Sequence, residues 1–249
     1  MTGMGFFGDL KIIYHMALRP IRGQSHAERM DNFYSGQAAD YDDFRRRLLQ
    51  GREDLWKTML QTSPYADTVW MDMGGGTGSN LLFFGTEIDK LRKVYVVDLA
   101  GSLLKIADRR IQDNGWKNIE TAEADATTFT PEGGTVDAVT FSYSLTMIPD
   151  WFAAVDHAWK LLRPGGRIGV VDFYVSRKYP AEELVKHSWA KRTFWPSWFA
   201  FDNVFPSADH VPYLHRKFRP VFFEERLTRL PWFPIPFFKM PYYLFIGEK

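Results

Sequence analysis

Cysteine is absent from the chain. Disulfides, thiolate metal sites and cysteine nucleophiles are therefore excluded. Long apolar runs are also lacking: none reaches the roughly 18–20 residues a helix needs to span a bilayer. The opening residues do not read as a secretory signal peptide, and no nucleophile–His–Asp signature is evident among the six histidines. These absences lead to the expectation of a protein in a reducing, cytoplasmic compartment, either soluble or peripheral at a membrane surface, without metal and without a nucleic-acid partner.

The 249 residues suit one domain, and a hydrophobic content of 45% supports a full core. From about residue 68 to 173, β-branched and aromatic runs alternate with helical stretches. That order implies an α/β fold with a mostly parallel sheet and helices on both faces. Residues 31–249 form the expected domain. Residues 1–30 precede it, and 175–215 elaborate it toward substrate or membrane.

The densest signal is Val69-Trp70-Met71-Asp72-Met73-Gly74-Gly75-Gly76-Thr77-Gly78. It reads as a buried strand ending in an acid and running into glycines at Gly74, Gly76 and Gly78. Glycines permit unusual dihedrals and close approach of backbone to a ligand. A dinucleotide fingerprint, G-x-G-x-x-G/A, would put its third small residue at Ser79 and leave Gly78 unexplained. The observed D-x-G-x-G-x-G resembles the first motif of the seven-stranded, Rossmann-like methyltransferases that use S-adenosylmethionine. Taken alone, it is also compatible with a purely structural βα turn.

Other landmarks follow in order. Lys93-Val94-Tyr95-Val96-Val97-Asp98 is a short strand with a carboxylate at its carboxyl end. In nucleoside-binding α/β folds that position holds the ribose diol. The alternative is a cap for the helix starting near Ser102. Glu123-Ala124-Asp125-Ala126 ends a third strand. The resemblance implies that Asp125 takes the adenine amino group, with the Ala126 amide at the ring. Val136 to Ser142 is a fourth strand, followed by a loop from Tyr143 to Pro149 over the reacting centre. Leu161 to Arg167 contains a Pro-Gly turn into a fifth strand, Ile168–Phe173. The resemblance thus implies cofactor contacts at Tyr41, Asp72, Gly74, Gly76, Gly78, Asp98, Leu99, Asp125, Ala126 and Ser142.

The two ends of the chain differ in character. From Phe173 onward there are 12 Lys/Arg and 7 Asp/Glu, so that part carries +5 and the remainder −4. From Trp189 to the end, 18 of 61 residues are Phe, Trp or Tyr. A basic, aromatic surface suits an anionic lipid interface, although most Phe residues pack inside. Phe6, Phe7, Leu10, Ile13, Tyr14 and Ala17 lie at helical spacing. They fit an amphipathic helix on a bilayer, a segment packed on the domain, or one with no fixed partner. Phe33 to Arg45 reads either as a lid, with Tyr41 at the methionine end of the cofactor and Tyr34 on the substrate pocket, or as a capped helix. Arg219–Leu230 and Pro241–Gly247 read as a terminal antiparallel strand pair.

Several segments together carry a narrower resemblance. They are Tyr41-Asp42-Asp43-Phe44-Arg45, Leu48 to Glu53, Asp72 to Gly78, Ser142-Tyr143-Ser144-Leu145-Thr146-Met147-Ile148-Pro149, Val171-Asp172-Phe173-Tyr174-Val175 and Arg192-Thr193-Phe194-Trp195. From about residue 30 on, the chain is similar to the methyltransferase part of betaine lipid synthases. The resemblance implies threefold N-methylation of a diacylglycerol bearing a homoserine head group. It also implies a separate aminocarboxypropyltransferase that supplies this lipid.

Methyl transfer from a sulfonium depends on positioning and desolvation. Tyr143 and Tyr41 are the expected positioning residues, with no obligatory base. Tyr34, Tyr143, Tyr174 and Trp195 are expected to offer aromatic faces to the increasingly cationic head group, and Lys191 and Arg192 to meet its carboxylate. Trp195, Pro196, Trp198 and Phe199 would hold the acyl chains. His157 is expected to pack on its helix, and His187, His210 and His215 to line a lipid pocket or lie at the surface. Alternatives are methylation of phosphatidylethanolamine or of a quinone ring, and a non-catalytic, membrane-docked cofactor-binding partner of a lipid synthase. The glycine spacing disfavours a dehydrogenase.

Overall fold

In the computed structural model the described residues are 28, 47–62, 64–200, 203–229 and 239–249. The opening amphipathic segment, Tyr34, Tyr41 and the proline-rich stretch before Lys239 lie outside them. Seven strands form one sheet in the order β3-β2-β1-β4-β5-β7-β6. The strands are β1 (Val69–Met73), β2 (Lys93–Asp98), β3 (Ile119–Glu123), β4 (Val136–Ser142), β5 (Leu162–Phe173), β6 (Arg219–Thr228) and β7 (Met240–Glu248). β1 to β5 are parallel to one another, while β7 runs antiparallel to both β5 and β6. The fold is the seven-stranded, Rossmann-like arrangement with a terminal antiparallel pair.

Alternation along the central strands sorts side chains into two cores. Trp70 faces a cluster with Trp56 and Phe84, whose rings lie 6.3 and 4.9 Å from its own. Its neighbours Met71 and Met73 face the second cluster. Helix α1 (Arg52–Thr62) covers the first face with Arg52, Leu55, Trp56 and Met59 buried, the spacing of one helical stripe. Helix α3 (Trp151–Leu161) covers the other, burying Trp151, Ala154, Val155, Ala158 and Leu161 behind an Asp150 cap.

Between β2 and β3 runs α2 (Gly101–Asn114). It ends at Gly115, whose φ of 69° and backbone bonds to Gln112 and Ile111 close the last turn. The Pro-Gly turn expected before the fifth strand is present, with Gly165 at φ 76°. It is a bulge inside β5: Leu162 pairs with Val136 and Arg167 with Ala138, so the residues between them loop outward. Two further helices, α4 (Trp189–Phe199) and α5 (His210–Lys217), precede the antiparallel pair.

Candidate functional site

β1 lies between β2 and β4, so the chain leaves β1 on one side and returns on the other. In open parallel sheets the crevice at the carboxyl ends of such strands is where ligands bind. A cavity of about 260 Å³ opens there. Gly74 and Gly76 form one wall, Asp98, Leu99 and Leu103 the next, Asp125 and Ala126 the third, and Tyr143 with Met147 to Asp150 the fourth. The acid ends of β2 and β3 and the loop after β4 thus meet, as the order of the motifs implies.

The glycine turn is shaped by what it must touch. Gly74 and Gly76 have φ of 68° and 57°, and a Cβ on Gly74 would sit 2.5 Å from that of Ser144. The Asp98 carboxylate accepts hydrogen bonds from the Gly76 N–H at 2.8 Å and the Ala100 N–H at 2.9 Å. It therefore braces the glycine turn and the start of α2 while facing the cavity. Asp125 is exposed at the rim and accepts from the N–H and hydroxyl of Thr127.

Other expected contacts fall outside the cavity lining. Asp72 is wholly buried beneath the turn. It accepts from Thr140 Oγ1 at 2.8 Å and Asn80 Nδ2 at 2.9 Å. Burial raises its pKa to about 6, against the pull of these bonds and of Arg52. Asp72 braces the loop from below. Gly78 packs toward Ala107 and Leu81. Ser142 is buried, and its hydroxyl has no hydrogen-bond partner among the described residues.

Tyr143 lines the cavity with its backbone at φ 54°. Its hydroxyl donates to the Gln50 carbonyl at 2.6 Å, and its ring meets Phe173 edge-on at 4.6 Å. Burial drives the phenol's pKa well above its usual value. It is a neutral wall whose hydroxyl stays hydrogen-bonded to the Gln50 carbonyl.

Of the expected substrate residues within the described part of the chain, the structure brings Tyr143 to the cavity lining and places the others elsewhere. Tyr174 does not join Tyr143. The residue before it, Phe173, faces the Tyr143 side, so alternation turns Tyr174 to the opposite face. There its hydroxyl donates to Glu225 and contacts His187. Trp195 is completely buried in the first core. Lys191 and Arg192 are half-buried on α4, outside the cavity lining, with Arg192 Nε donating to the His187 carbonyl. His157 Nε2 bonds to the Phe129 carbonyl at 2.7 Å, tying its helix down. Burial lowers the pKa of His187 to about 4 and of His210 to about 3, so both are neutral at physiological pH.

Sequence reasoning missed several supporting residues. Buried Arg52 donates to Ser79 Oγ, Asn80 Oδ1 and the Leu49 carbonyl, joining α1 to the glycine turn. An arginine inside the apolar stripe of a helix is the signal that it has buried acceptors. Asp172 is buried at the end of β5. It accepts from the Thr146 N–H and hydroxyl and from the Phe173 N–H, fixing the turn that carries Met147. Burial raises its pKa to about 7.

The lining suits S-adenosylmethionine. Asp98 offers two acceptors to a ribose diol, and Asp125 an acceptor to an exocyclic amine. Leu99, Leu103, Ala126 and Ile148 give apolar faces for a purine. Three carboxylates line the cavity without lysine, arginine or histidine among the described residues. That balance welcomes a sulfonium and is poor for a pyrophosphate. The described residues contain no group of His, Asp and Glu able to hold a metal ion.

Comparison with known proteins agrees with this geometry. The chain is 27% identical over 147 residues to demethylmenaquinone methyltransferase of Lactococcus lactis, spanning 58% of each chain. It is 28% identical over 176 residues to the ubiquinone/menaquinone biosynthesis C-methyltransferase UbiE of Pseudomonas fluorescens, spanning 70% of this chain and 69% of that one. Phosphoethanolamine N-methyltransferase 2 of Haemonchus contortus, solved with S-adenosyl-L-methionine, superposes with a TM-score of 0.68 at 14% identity, covering 92% of this chain and 61% of that one. A putative methyltransferase of Bacillus halodurans superposes with a TM-score of 0.62 at 18% identity, covering 79% and 98%. The sequence profile of the ubiE/COQ5 methyltransferase family matches residues 23–195, and the chain belongs to that family.

Proposed function

We infer that the protein transfers methyl groups from S-adenosylmethionine to the amine of a lipid with a homoserine head group, ending at the trimethylated betaine. The sulfonium supplies an electrophilic methyl with a good leaving group. What remains for the chain is to position and desolvate the amine. Asp98 and the glycine turn hold the nucleoside end, Asp125 marks the adenine end, and the Tyr143 ring and Met147 wall the opening toward substrate.

One observation carries the preference for an amine. Among the described residues the lining holds three carboxylates and no lysine, arginine or histidine, a balance that suits a head group becoming cationic. A neutral amine attacks with its own lone pair and releases its proton to water. The acidic rim and the Tyr143 face also favour a product whose positive charge becomes permanent. The segments shared with betaine lipid synthases supply the homoserine head group, and a separate aminocarboxypropyltransferase would supply that lipid.

A second reading, ring C-methylation of a quinol, is favoured by the names of the sequence relatives. The full-length protein is to be incubated with S-adenosylmethionine and either diacylglycerylhomoserine or demethylmenaquinol in mixed micelles. Mass spectrometry is expected to find mono-, di- and trimethylated homoserine lipid. Methylated quinone with unchanged homoserine lipid would replace the first reading by the second. Cofactor binding with neither product would make the protein a non-catalytic partner.

A further inference from the structure

A second cavity, of about 240 Å³, lies on the face of the sheet to which Tyr174 is turned. One wall is the loop after β5, through Pro180, Ala181 and Leu184, and the other is a stripe of α5, through Val211, Pro212 and His215. The loop is framed by bonds to other groups rather than by collapse onto the cavity. At its base the His187 N–H donates to Ser176 Oγ and the Ser176 N–H to His187 Nδ1. Further out, Arg177 pairs with Asp209, and the Val185 N–H donates to Glu225. A void of about 150 Å³ in a protein core already takes up benzene, so this one has room for a run of methylenes.

The polar groups of the lining are largely spent on the protein itself. The Tyr174 hydroxyl donates to Glu225, Ser176 Oγ donates to the Arg177 carbonyl, and Arg177 Nε donates to Asp209 at 2.7 Å. Arg177 is the one cation among the described lining residues. Burial lowers the pKa of His215, whose ring meets Phe223 and Phe245 at 4.7 and 5.2 Å. Glu183 stays at the exposed rim. A phosphate would find no uncommitted cation here, and a sugar few open hydrogen-bond partners. A hydrocarbon chain needs neither.

The second cavity is joined to the cofactor cavity by residues 205–208. The Phe205 N–H donates to the Thr146 carbonyl at 2.7 Å, and the next residue, Met147, lines the cofactor cavity. Ser207 pairs with Tyr174 just past the end of β5, and Ala208 lines the second cavity. From Phe205 to Ala208 the backbone spans at most about 10–11 Å. The head group and glycerol of the acceptor separate its amine from the first acyl carbon by a chain of comparable reach. Phe205, 56% exposed, offers apolar surface on the way.

We propose that the second cavity is a subsite for one fatty acyl chain of the lipid acceptor, whose amine is presented at the cofactor cavity while the chain passes Phe205. The inference rests on the lipid-substrate reading. Chain binding is also measured without turnover, so the two fail separately.

The test fills the cavity in the whole chain with Ala208→Phe and, on the exposed loop, with Ala181→Phe. Ala190→Phe adds the same bulk at an exposed position of α4 outside the lining. Retained S-adenosylmethionine affinity controls for folding, and Ala181→Phe serves if Ala208→Phe does not fold. With dipalmitoylglycerylhomoserine the filled variants should show a KM raised about tenfold, the worth of a few buried methylenes. With glycerylhomoserine, the same head group without chains, KM should not change, and Ala190→Phe should match the unaltered protein with both acceptors. Independently of methyl transfer, a diacylglycerol with a photoreactive diazirine on one acyl chain should label residues 176–184 or 208–215, and filling should abolish that labelling. Labelling that persists while no homoserine lipid is methylated would leave the chain subsite standing and remove the head-group reading. An unchanged KM for the dipalmitoyl lipid, an equal rise for both acceptors, or labelling that filling does not reduce overturns the proposal.

Discussion

The sheet has two halves that solve different problems. In the half from β3 to β4, β1 runs into glycines, β2 and β3 end in acids, and those ends open onto the cavity. In the half made of β5, β7 and β6, long strands pair antiparallel, and β7 is buried along nearly its whole length among aromatic rings. The first half keeps side chains small or charged so that backbone can reach a polar ligand. The second fills space. Residues that look alike in sequence, such as Tyr143 and Tyr174, act differently because one borders the cavity and the other lies inside the filled half.

The sharpest way to break this contrast is Trp195→Ala. If Trp195 is a pillar of the filled half, the variant loses about 3–5 kcal/mol of stability in chemical denaturation. Unchanged stability with a raised KM for lipid would return Trp195 to the substrate pocket.

Asp172 sits at the seam between the halves. Its pKa is raised from 3.8 to about 7, chiefly by burial, so the folded state holds the proton more tightly than the unfolded state. Its contribution to stability is complete below about pH 4 and is lost progressively as pH rises to about 7, on the order of 4 kcal/mol in all. Asp72 acts in the same direction up to about pH 6. Unfolding measured from pH 4.5 to 8 should show a flatter profile for Asp172→Asn than for the unaltered protein. Parallel profiles would mean that the Asp172 proton is not linked to folding.

Within the open half, Asp98→Ala should weaken S-adenosylmethionine binding by about 1.5–3 kcal/mol, the worth of a charge-assisted hydrogen bond. Calorimetry giving the same Kd for both proteins would reduce Asp98 to a brace for Gly76 and Ala100. The smallest expected effect is Tyr143→Phe, which removes the bond to Gln50 and keeps the ring, at about 1 kcal/mol. A larger fall in kcat would show that the hydroxyl, rather than the ring, serves the reaction.

What the sequence disclosed follows the same division. The strand-end carboxylates Asp98 and Asp125 and the turn at Gly74 and Gly76 are local features, each readable within a few residues, and the parallel order of strands follows from them. The terminal strand pair was legible from its aromatic runs. The sorting of Phe173 from Tyr174, and of buried Trp195 from exposed Trp189, was not. It depends on which face of a strand or helix meets the sheet, which tertiary packing decides. The braces beneath the site, Arg52 with Asn80 and Asp172 with Thr146, join residues 26 or more apart, a separation over which local pattern is silent.

The left-handed backbone at Tyr143 limits how this wall can change. A bulky residue held there stores on the order of 1–3 kcal/mol of strain, offset by the contacts with Phe173 and Gln50. Glycine and asparagine tolerate that conformation, whereas valine, isoleucine and threonine do not. Replacement at this position is therefore selective: glycine or asparagine widens the mouth without distorting the exit from β4, whereas the β-branched residues, which are also smaller, would widen it only by disturbing that turn.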